Sequence, residues 1–483
     1  MNNKKTSLGI GHLLVALLIG CAPIALAKSE EPPNIVVITG DDHGFQLGCC
    51  GDPNARTPEL DRFARENVFY THAYVSQSSC SPSRSSFLTG LYPHESGQIG
   101  LAHLGYRMRG DITETLPRIL TNHGYHCGTI GKLHVAPFTG FDFSFARFSD
   151  FNASPDVAEA DRPDVATRDW KRVTGAVQEF LTESKKPFFL YVNLFDPHHP
   201  MIQQVNGLPK NPVSGSQLAP LAETMRGKAN EIAGYYNGLE RMDAIFGRIR
   251  EVLVENNVWE NSLVVYWGDN GQPFDGAKTT ASEAGLRVPL IIHWPGIRAG
   301  SQINSPVSTI DLFRTVLDAA GAPAPGYAGG LSLLPTLRNG NELPKRAVFA
   351  ERNAHGVAQY FPERVVYRGN LKVAVNFTKP AALQALDRRA LAALDDPTAF
   401  TVFDVTLDPN EMCNLAGDEK SRPEVQSMLG DLQLWMTKTG DFLLFPQRRD
   451  LVSKAHADAS AKGQAAHFPL APEKFTEPLS AQK

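Results

Sequence analysis

The sequence predicts an α/β protein with a large, mixed but mostly parallel sheet sandwiched by helices, and a small C-terminal antiparallel sheet. Short apolar runs rich in β-branched residues predict the strands of the large sheet, and helical patterns lie between them. The character of the chain changes after about Arg364, where the patterns become those of hairpins. Because the chain has 483 residues, one large domain and one smaller domain are expected.

Five apolar runs predict strands of the large sheet. The first, residues 34–39, is continuous and β-branched between Pro33 and Gly40, which is typical of a buried parallel strand. The other four runs are residues 127–130, 188–194, 263–267 and 289–293.

Two helical patterns stand between or after these runs. In the first, apolar residues recur at spacings of three or four, at Ile232, Tyr235, Leu239, Met242, Ile245, Ile249 and Val252. The second covers residues 309–320 and stops at Gly321, a residue type that commonly follows the last helical turn. Strands that alternate with helices favour a sheet covered on both faces.

The C-terminal part predicts a small subdomain. Residues 365–368 and 371–375 flank the turn Gly369-Asn370 and predict a hairpin, and helices are expected at residues 381–394 and 423–438. We therefore expect a catalytic domain over residues 32–364 and a small-sheet subdomain over residues 365–483.

The N-terminus predicts export from the cytoplasm. Lys4 and Lys5 precede a short apolar stretch at residues 8–19, which is too short for a comfortable membrane span. Cleavage after Ala27 would remove residues 1–27 as a signal peptide. Alternatively, residues 18–21 resemble a lipobox in which Cys21 would be lipidated. Both routes stay open, so the expected location is the periplasm or, as a lipoprotein, the outer membrane.

Composition excludes several classes of protein. The net charge is −4, with 42% hydrophobic and 20% charged residues, which is ordinary for a globular protein. No basic face typical of nucleic-acid binding is visible, so an anionic polymer would have to be bound by a local basic pocket. The six cysteines do not form the pattern of a disulfide scaffold, and we expect Cys49 and Cys50 to be buried free thiols.

Polar residues follow the predicted strands directly. Ligands of open α/β sheets bind beyond the carboxyl ends of the strands, so these residues are expected to converge. The strands lead into Asp41-Asp42, Lys132 and His134, His198, and Asp269-Asn270. Three carboxylates and one amide oxygen suit Ca²⁺ or Mg²⁺ better than Zn²⁺.

The most specific motif is Cys80-Ser-Pro-Ser-Arg84-Ser-Ser-Phe-Leu-Thr-Gly90. It resembles the C-x-P-S-R-x-x-x-L-T-G motif of the type I, formylglycine-dependent sulfatases at every specified position. Three further segments resemble motifs of the same family, namely residues 131–134, 196–200 and 268–271. Within the family, residues 79–101, 188–198 and 269–274 are most similar to the N-sulfoglucosamine sulfohydrolase branch and its bacterial polysaccharide-sulfatase relatives.

This resemblance implies the alkaline-phosphatase-like sulfatase fold and a modified nucleophile. Cys80 would be oxidised to Cα-formylglycine by a formylglycine-generating or sulfatase-maturating enzyme. The modified residue 80 would contact a divalent cation, Ca²⁺ or else Mg²⁺, whose other ligands would be Asp41, Asp42, Asp269 and Asn270.

The resemblance also implies roles for five other residues. Arg84 would hold the hydrated aldehyde, and Lys132 and Lys278 would neutralise charge on the sulfuryl group. His134 would take a proton from the second hydroxyl of the hydrate, and His198 would protonate the leaving group.

The expected function is hydrolysis of sulfate esters in a sulfated carbohydrate, and three alternatives stay open. Lys278 stands where the N-sulfoglucosamine branch has an arginine, which leaves the sulfamidase activity an alternative. A phosphodiesterase or phosphonate hydrolase of the same superfamily is the second alternative, and a non-catalytic binder of sulfated glycans is the third. His94, His103 and His355 are candidates for contacts with sugar hydroxyls.

Overall fold

The computed structural model describes residues 32–150, 158–184, 187–201, 229–296, 300–356, 359–379, 382 and 399–462. The predicted signal segment with Cys21 lies outside the described residues, as does the predicted helix at 381–394 apart from Ala382. None of the helices in the described ranges has the length and apolarity needed to cross a bilayer.

Within the described ranges, the large sheet consists of nine strands. They are β1 (Asn34–Asp41), β2 (Val68–Tyr74), β3 (His126–Gly131), β4 (Phe145–Arg147), β5 (Phe188–Pro197), β6 (Ser262–Gly268), β7 (Arg287–His293), β8 (Gln302–Ile303) and β9 (Val307–Ser308). The strand order is β4-β3-β5-β1-β6-β7-β2-β8, and β9 also pairs with β2. Strands β4, β3, β5, β1 and β6 are mutually parallel, whereas β7 runs antiparallel to both β6 and β2. The predicted mixed, mostly parallel sheet is therefore confirmed.

Twelve α-helices occur in the described ranges. They are α1 (Pro58–Glu66), α2 (Cys80–Thr89), α3 (Pro93–Ser96), α4 (Leu116–Asn122), α5 (Pro163–Ala166), α6 (Trp170–Glu183), α7 (Ala229–Glu255), α8 (Glu283–Leu286), α9 (Ile310–Ala320), α10 (Leu334–Asn339), α11 (Arg422–Lys438) and α12 (Pro446–Lys462). The two helical patterns read from the sequence correspond to α7 and α9.

Helices cover both faces of the large sheet because its central strands are apolar on both sides. In β1, Ile35 and Val37 pack into one core, which contains residues of α2 and α9, while Val36 and Ile38 pack into a second core with residues of α1, α6 and α7. Successive side chains of a strand point to opposite faces, so a continuous apolar run must be covered twice.

The small sheet has four antiparallel strands in the order β10-β11-β12-β13. They are β10 (Val348–Ala354), β11 (Tyr360–Arg368), β12 (Leu371–Asn376) and β13 (Phe400–Asp404). The predicted hairpin is confirmed as β11 and β12, and the predicted helix at 423–438 is confirmed as α11, which shares a core with this sheet. The predicted boundary after residue 364 falls inside β11, and the sheet begins earlier, at Val348.

Strand β10 joins the small sheet to the segment that precedes α2. The backbone N–H of Glu351 donates to the carbonyl of Ser76 at 2.7 Å, and Gln77 forms a parallel bridge with Glu351. The small sheet therefore supports the N-terminal end of the helix that begins at Cys80.

The five cysteines in the described ranges form no disulfide, as expected. Cys49 and Cys50 are half-buried on a short 3₁₀ turn rather than fully buried.

Candidate active site

The predicted polar residues converge at the carboxyl ends of four adjacent strands, β3, β5, β1 and β6. Asp41 ends β1, Asp269 follows the end of β6, and the two segments are joined directly. The backbone N–H of Asp42 donates to Asp269 Oδ1 at 2.9 Å, and Asn270 Nδ2 donates to Asp42 Oδ1 at 2.9 Å. Parallel register between β1 and β6 brings together residues that are separated by more than two hundred positions in the chain.

Cys80 lies at the first position of α2, directed at the two aspartates. Its Sγ lies 3.5 Å from Asp41 Oδ1 and 3.7 Å from Asp42 Oδ1, and Lys132 Nζ approaches the sulfur to 3.8 Å. Burial raises the pKa of the Cys80 thiol, and the nearby Lys132 and Lys278 only partly oppose this effect. An unmodified Cys80 would thus be a protonated thiol, which is a poor nucleophile.

Arg84 lies one turn further along α2 and is fully buried beneath Cys80. Its Nε donates to Asp269 Oδ2 at 3.0 Å, and its Nη1 donates to the carbonyl oxygen of Lys132 at 3.0 Å. Nη1 also donates to the side chain of Asn193 at the end of β5. Burial acts to lower the pKa of Arg84, but Asp269, Tyr191 and Asp41 together outweigh it, so the guanidinium is charged.

Two lysines approach the aspartates from opposite sides. Lys132 Nζ lies 2.6 Å from Asp41 Oδ2, and Lys278 Nζ forms a short ion pair with Asp42 Oδ1. Burial alone would raise the pKa of Asp41, but Lys132, His198 and Arg84 together hold it well below its usual value. Burial also acts to raise the pKa of Asp42, but the positive charges around it, chiefly Lys278, lower the pKa overall. Both aspartates are therefore carboxylates near neutral pH.

The donors at this position fit a hard divalent cation. Ligand atoms of Asp41, Asp42, Cys80 and His198 all lie within 4.8 Å of one another. Asn270 Oδ1 and Asp42 Oδ2 are buried and have no hydrogen-bond partner among the described residues, which is costly for a polar atom unless something else contacts it. Oxygen donors of this kind are those that Ca²⁺ and Mg²⁺ prefer.

Asp269 is bound differently from the other predicted metal ligands. Both of its carboxylate oxygens accept hydrogen bonds, one from the Asp42 backbone and one from Arg84. Burial, and then the charge of Asp41, raise the pKa of Asp269 to about 7. Since a cation beside these carboxylates would oppose both effects, the donor set is better suited to a bound divalent ion than to the protein alone.

His134 and His198 reach the site from the segments after β3 and β5. His134 has a positive φ of 54°, and the carboxylate of Asp150 accepts from the backbone N–H groups of Leu133 at 2.6 Å and of His134 at 2.8 Å. Burial, aided by Lys132, places the pKa of His134 well below its usual value and that of His198 at about 4. Both rings are therefore neutral at pH 7.

The three other histidines singled out from the sequence have different surroundings. His103 is exposed, and its Nδ1 lies 2.7 Å from His134 Nε2, while His355 Nδ1 lies 2.9 Å from the hydroxyl of Ser79. His94 is buried and forms a short ion pair with Glu351. The expectation that His94 could contact a sugar is therefore wrong, because its ring has no access to a ligand.

Sequence reasoning missed the residues that hold the site in place. Asp150 and Asn193 contact site residues directly, and Arg168 acts on the segment that carries His198. Of these, Asn193 had a signal, since it is the one polar residue in the apolar run 188–194.

Comparisons with known proteins agree with this geometry. The sulfatase family profile matches residues 33–322, more than half of the chain. A second profile, for the C-terminal part of N-sulphoglucosamine sulphohydrolase, matches residues 274–438.

Two curated relatives and one solved structure align over most of their length. The N-sulphoglucosamine sulphohydrolase of Homo sapiens is 30% identical over 471 residues, covering 85% of this chain and 91% of the relative. An ulvan-active sulfatase from Formosa agariphila is 27% identical over 481 residues, covering 92% of this chain and 90% of the relative. A solved 2-O glycosaminoglycan sulfatase superposes with a TM-score of 0.65 at 20% identity, covering 85% of this chain and 93% of that structure.

The chain belongs to the sulfatase family and is a sulfuric ester hydrolase. This confirms the family and the enzyme class predicted from the sequence. The structural neighbours also confirm the alkaline-phosphatase-like sulfatase fold.

Proposed function

We propose that this sulfatase removes sulfate ester groups from a sulfated polysaccharide or glycosaminoglycan-type oligosaccharide, with Cα-formylglycine derived from Cys80 and with Ca²⁺, or else Mg²⁺, at the site. The observation that carries the proposal is the position of Cys80, whose sulfur lies within 3.8 Å of Asp41, Asp42 and Lys132 at the end of the sheet. The substrate class is supported by the named activities of the relatives.

The modified side chain can both attack sulfur and later release the bound sulfate, which the encoded thiol cannot do. A hydrated aldehyde supplies one hydroxyl to attack sulfur and a second whose deprotonation expels sulfate and restores the aldehyde. Held by Asp41, Asp42, Asp269 and Asn270, a divalent cation would supply a strong positive charge for the sulfate oxygens and would favour the ionised hydroxyl.

Three side chains of the protein then provide positive charge. Lys132 and Lys278 approach from opposite sides and offset negative charge that builds up as the sulfuryl group transfers. Arg84 keeps its charge without access to solvent, so it orients the groups around residue 80 without moving. Preorganised charges of this kind lower a barrier because they need no rearrangement during the reaction.

The two site histidines divide the proton transfers. Among the described residues the buried Nδ1 of His134 has no hydrogen-bond partner, so this neutral ring is able to accept the proton of the second hydroxyl. His198 lies at the open side of the site, with about a quarter of its side chain exposed. The negative charge of a bound sulfate group would raise the pKa of His198, so that its ring can carry the proton that it gives to the departing sugar oxygen. In the sulfamidase alternative the same histidine would protonate a departing nitrogen.

Mass spectrometry of the peptide that contains residue 80 tests this proposal most directly. We expect an aldehyde in protein purified from its native host, together with hydrolysis of an aryl sulfate. Cys80→Ala protein is the matched control and should bind cation without turnover. Active protein that carries only the unmodified thiol would refute the mechanism.

A panel of defined sulfated saccharides separates the remaining alternatives. Faster release of sulfate from O-sulfated than from N-sulfated glucosamine derivatives would support the ester hydrolase over the sulfamidase. Phosphodiester turnover above sulfate-ester turnover would favour the phosphohydrolase, and binding without any release would favour the non-catalytic glycan binder.

The proposal also includes maturation and location. A formylglycine-generating or sulfatase-maturating enzyme would act on the chain, which would then reside in the periplasm or be anchored to the outer membrane through Cys21. Sequencing the N-terminus of the mature protein and testing it for lipid would distinguish these two routes.

A further inference from the structure

His103 and His134 make a direct contact between the buried site and the protein surface. His103 Nδ1 lies 2.7 Å from His134 Nε2, while the ring centroids are 5.0 Å apart and the ring planes differ by 17°. The centroid separation is nearly twice the nitrogen–nitrogen distance, so the two nitrogens lie between the ring centres. The rings thus meet edge to edge, with the geometry of a hydrogen bond.

The two rings differ sharply in exposure. His134 is 8% exposed, and its buried Nδ1 has no hydrogen-bond partner in the part of the chain that the structure describes. His103 is exposed on the 3₁₀ turn Ala102–Leu104. A proton that enters at the inner ring therefore has a short route to solvent through the outer ring.

Both rings are anchored through their backbones. The carboxylate of Asp150 fixes the backbone of His134, and the hydroxyl of Ser81, on α2, accepts from the backbone N–H of Ala102 at 2.9 Å. Because Ser81 follows Cys80 directly, the turn that carries His103 is attached to the same helix as the reacting residue. The contact between the rings is thus preorganised.

We propose that His134 and His103 form a proton relay that carries the proton released at residue 80 from the buried site to bulk water. This inference rests on the proposed function, in which His134 is the base. It assigns to His103 a role in proton transfer through His134, instead of the contact with a sugar hydroxyl that the sequence suggested.

One proton enters the pair of rings and one proton leaves it in each transfer. His134 begins with hydrogen on Nε2, which donates to the lone pair of His103 Nδ1, and His103 begins with hydrogen on Nε2. When His134 Nδ1 accepts a proton from the hydroxyl, the Nε2 proton of His134 moves to His103 Nδ1, and the Nε2 proton of His103 passes to water. Each ring ends neutral, in the opposite tautomer. When water next adds to the aldehyde, the transfers run in reverse: His134 Nδ1 gives its proton to the former carbonyl oxygen, His103 Nδ1 returns a proton to His134 Nε2, and His103 Nε2 takes a proton from water. The water that adds to the aldehyde loses one proton to solvent, which restores the starting state.

The surrounding charges favour transfer outward. Lys132 is the chief charged group acting to lower the pKa of both rings, after burial itself. Lys278 acts in the same direction on His103, Arg84 does so on His134, and Asp41 opposes these effects on His134. Since this positive surrounding disfavours a lasting imidazolium, an extra proton is driven away from the site.

Substitution of His103 tests the relay in the formylglycine-containing enzyme with an aryl sulfate substrate. We expect kcat of His103→Ala to fall about 10-fold to 100-fold with little change in KM, since general acid–base assistance is worth at least this much. Added imidazole should restore a large part of the lost rate. His103→Gln keeps a hydrogen-bonding side chain but cannot relay a proton, so it should be as slow as His103→Ala.

The exposed His123 supplies the matched control, and His123→Ala should leave kcat and its pH profile unchanged. An unaltered kcat in His103→Ala, a change confined to KM, full activity in His103→Gln, or a loss that imidazole does not rescue would each overturn the relay.

Nitrogen-15 spectroscopy of the histidine rings provides a readout that needs no turnover. The relay requires hydrogen on Nε2 and a free lone pair on Nδ1 of His134, and a signal from the opposite tautomer would refute it. If the wild-type enzyme showed no sulfatase activity, the proposed function would fail by itself, whereas the tautomer would still test the arrangement of the two rings.

Discussion

Arg84 Nε donates to Asp269 Oδ2 at 3.0 Å, and neither side chain has any exposed surface. The pair links the helix that begins at Cys80 to the segment after β6. Arg84 thus supplies a hydrogen bond to one of the two carboxylate oxygens of Asp269. Asp269 therefore helps to hold the fold together, in addition to its predicted contact with a cation.

The first prediction concerns this buried pair. Arg84→Met leaves the carboxylate of Asp269 buried without its partner, and we expect the free energy of unfolding to fall by about 3–5 kcal/mol. Urea denaturation measures the change. Arg118→Ala, which removes an exposed ion pair with Asp142, should cost less than about 1 kcal/mol and is the control. Equal effects in the two variants would contradict the importance of burial.

The second prediction separates cation binding from folding. Among the described residues Asn270 Oδ1 has no hydrogen-bond partner, whereas its Nδ2 donates to Asp42 and to the carbonyl oxygen of Gly271. Without a cation, Asn270→Ala should therefore lower the free energy of unfolding by about 1–3 kcal/mol through the loss of the Nδ2 bonds alone. We expect the same variant to need at least about 10-fold more Ca²⁺ for half-maximal activity. Calcium titration after treatment with a chelator measures this shift. Wild-type enzyme that keeps its full activity in the chelator would remove the cation from the mechanism.

The third prediction concerns Arg168, which fixes the segment that carries His198. Its Nε donates to Asp196 Oδ1 at 2.9 Å, and its Nη2 donates to the carbonyl oxygens of His198 at 2.6 Å and Pro200 at 3.0 Å. In Arg168→Ala we expect His198 to lose its position and kcat to fall by up to about 100-fold.

The leaving group distinguishes this effect from a general loss of structure. Because His198 would protonate the departing oxygen in the proposed mechanism, the loss in Arg168→Ala should be larger for a sugar sulfate than for a nitrophenyl sulfate, whose leaving group needs less protonation. Arg172→Ala removes an exposed ion pair with Asp161 nearby and should leave both rates unchanged. An equal loss for the two substrates would argue against the assignment of His198.

The fourth prediction concerns pH and stability. Burial is the largest influence on the pKa of His94 and lowers it, but the carboxylates of Glu351 and Asp441 outweigh burial and the net shift is upward. The charged ring therefore stabilises the fold fully below the unfolded pKa of about 6.5, and this contribution is lost as the pH rises through the higher folded pKa.

Urea denaturation at pH values below and above about 6.5 measures this loss of stability. We expect the unfolding free energy of the wild type to fall more steeply above about pH 6.5 than that of His94→Gln. His123→Gln, a change at an exposed histidine, should keep the wild-type slope. A slope in His94→Gln equal to that of the wild type would contradict the raised pKa.

The sequence predicted those strands and helices in which a regular pattern of apolar residues runs along the whole element. The run at 34–39 is apolar throughout because β1 is covered on both faces, and its strand was therefore evident. Strand β2 was missed because the half-buried Thr71 and His72 interrupt its apolar pattern. Strand β10 was missed because Glu351 is polar, and its buried partner His94 lies more than two hundred positions away in the chain.

Whether a site residue could be predicted from the sequence depended on its position relative to the strands. Asp41, Asp42 and Asp269 were predictable because residues at the ends of adjacent parallel strands must meet. Asp150 and Arg168 were not predictable, because each acts on backbone groups of a segment that only the folded chain brings near. Their residue types carry no signal for such contacts.

Because Cys80 is enclosed in the folded protein, an enzyme that modifies its thiol would need access to it before folding is complete. The thiol is 1% exposed, and the groups that surround it include Asp269 and Lys278, which are synthesised long after residue 80. An emerging polypeptide thus presents this cysteine openly until those later segments have appeared and docked. If Cys80 is converted as proposed, the processing catalyst would have to compete with the closing of the fold, and slower folding of the second half of the chain would increase the yield of converted protein.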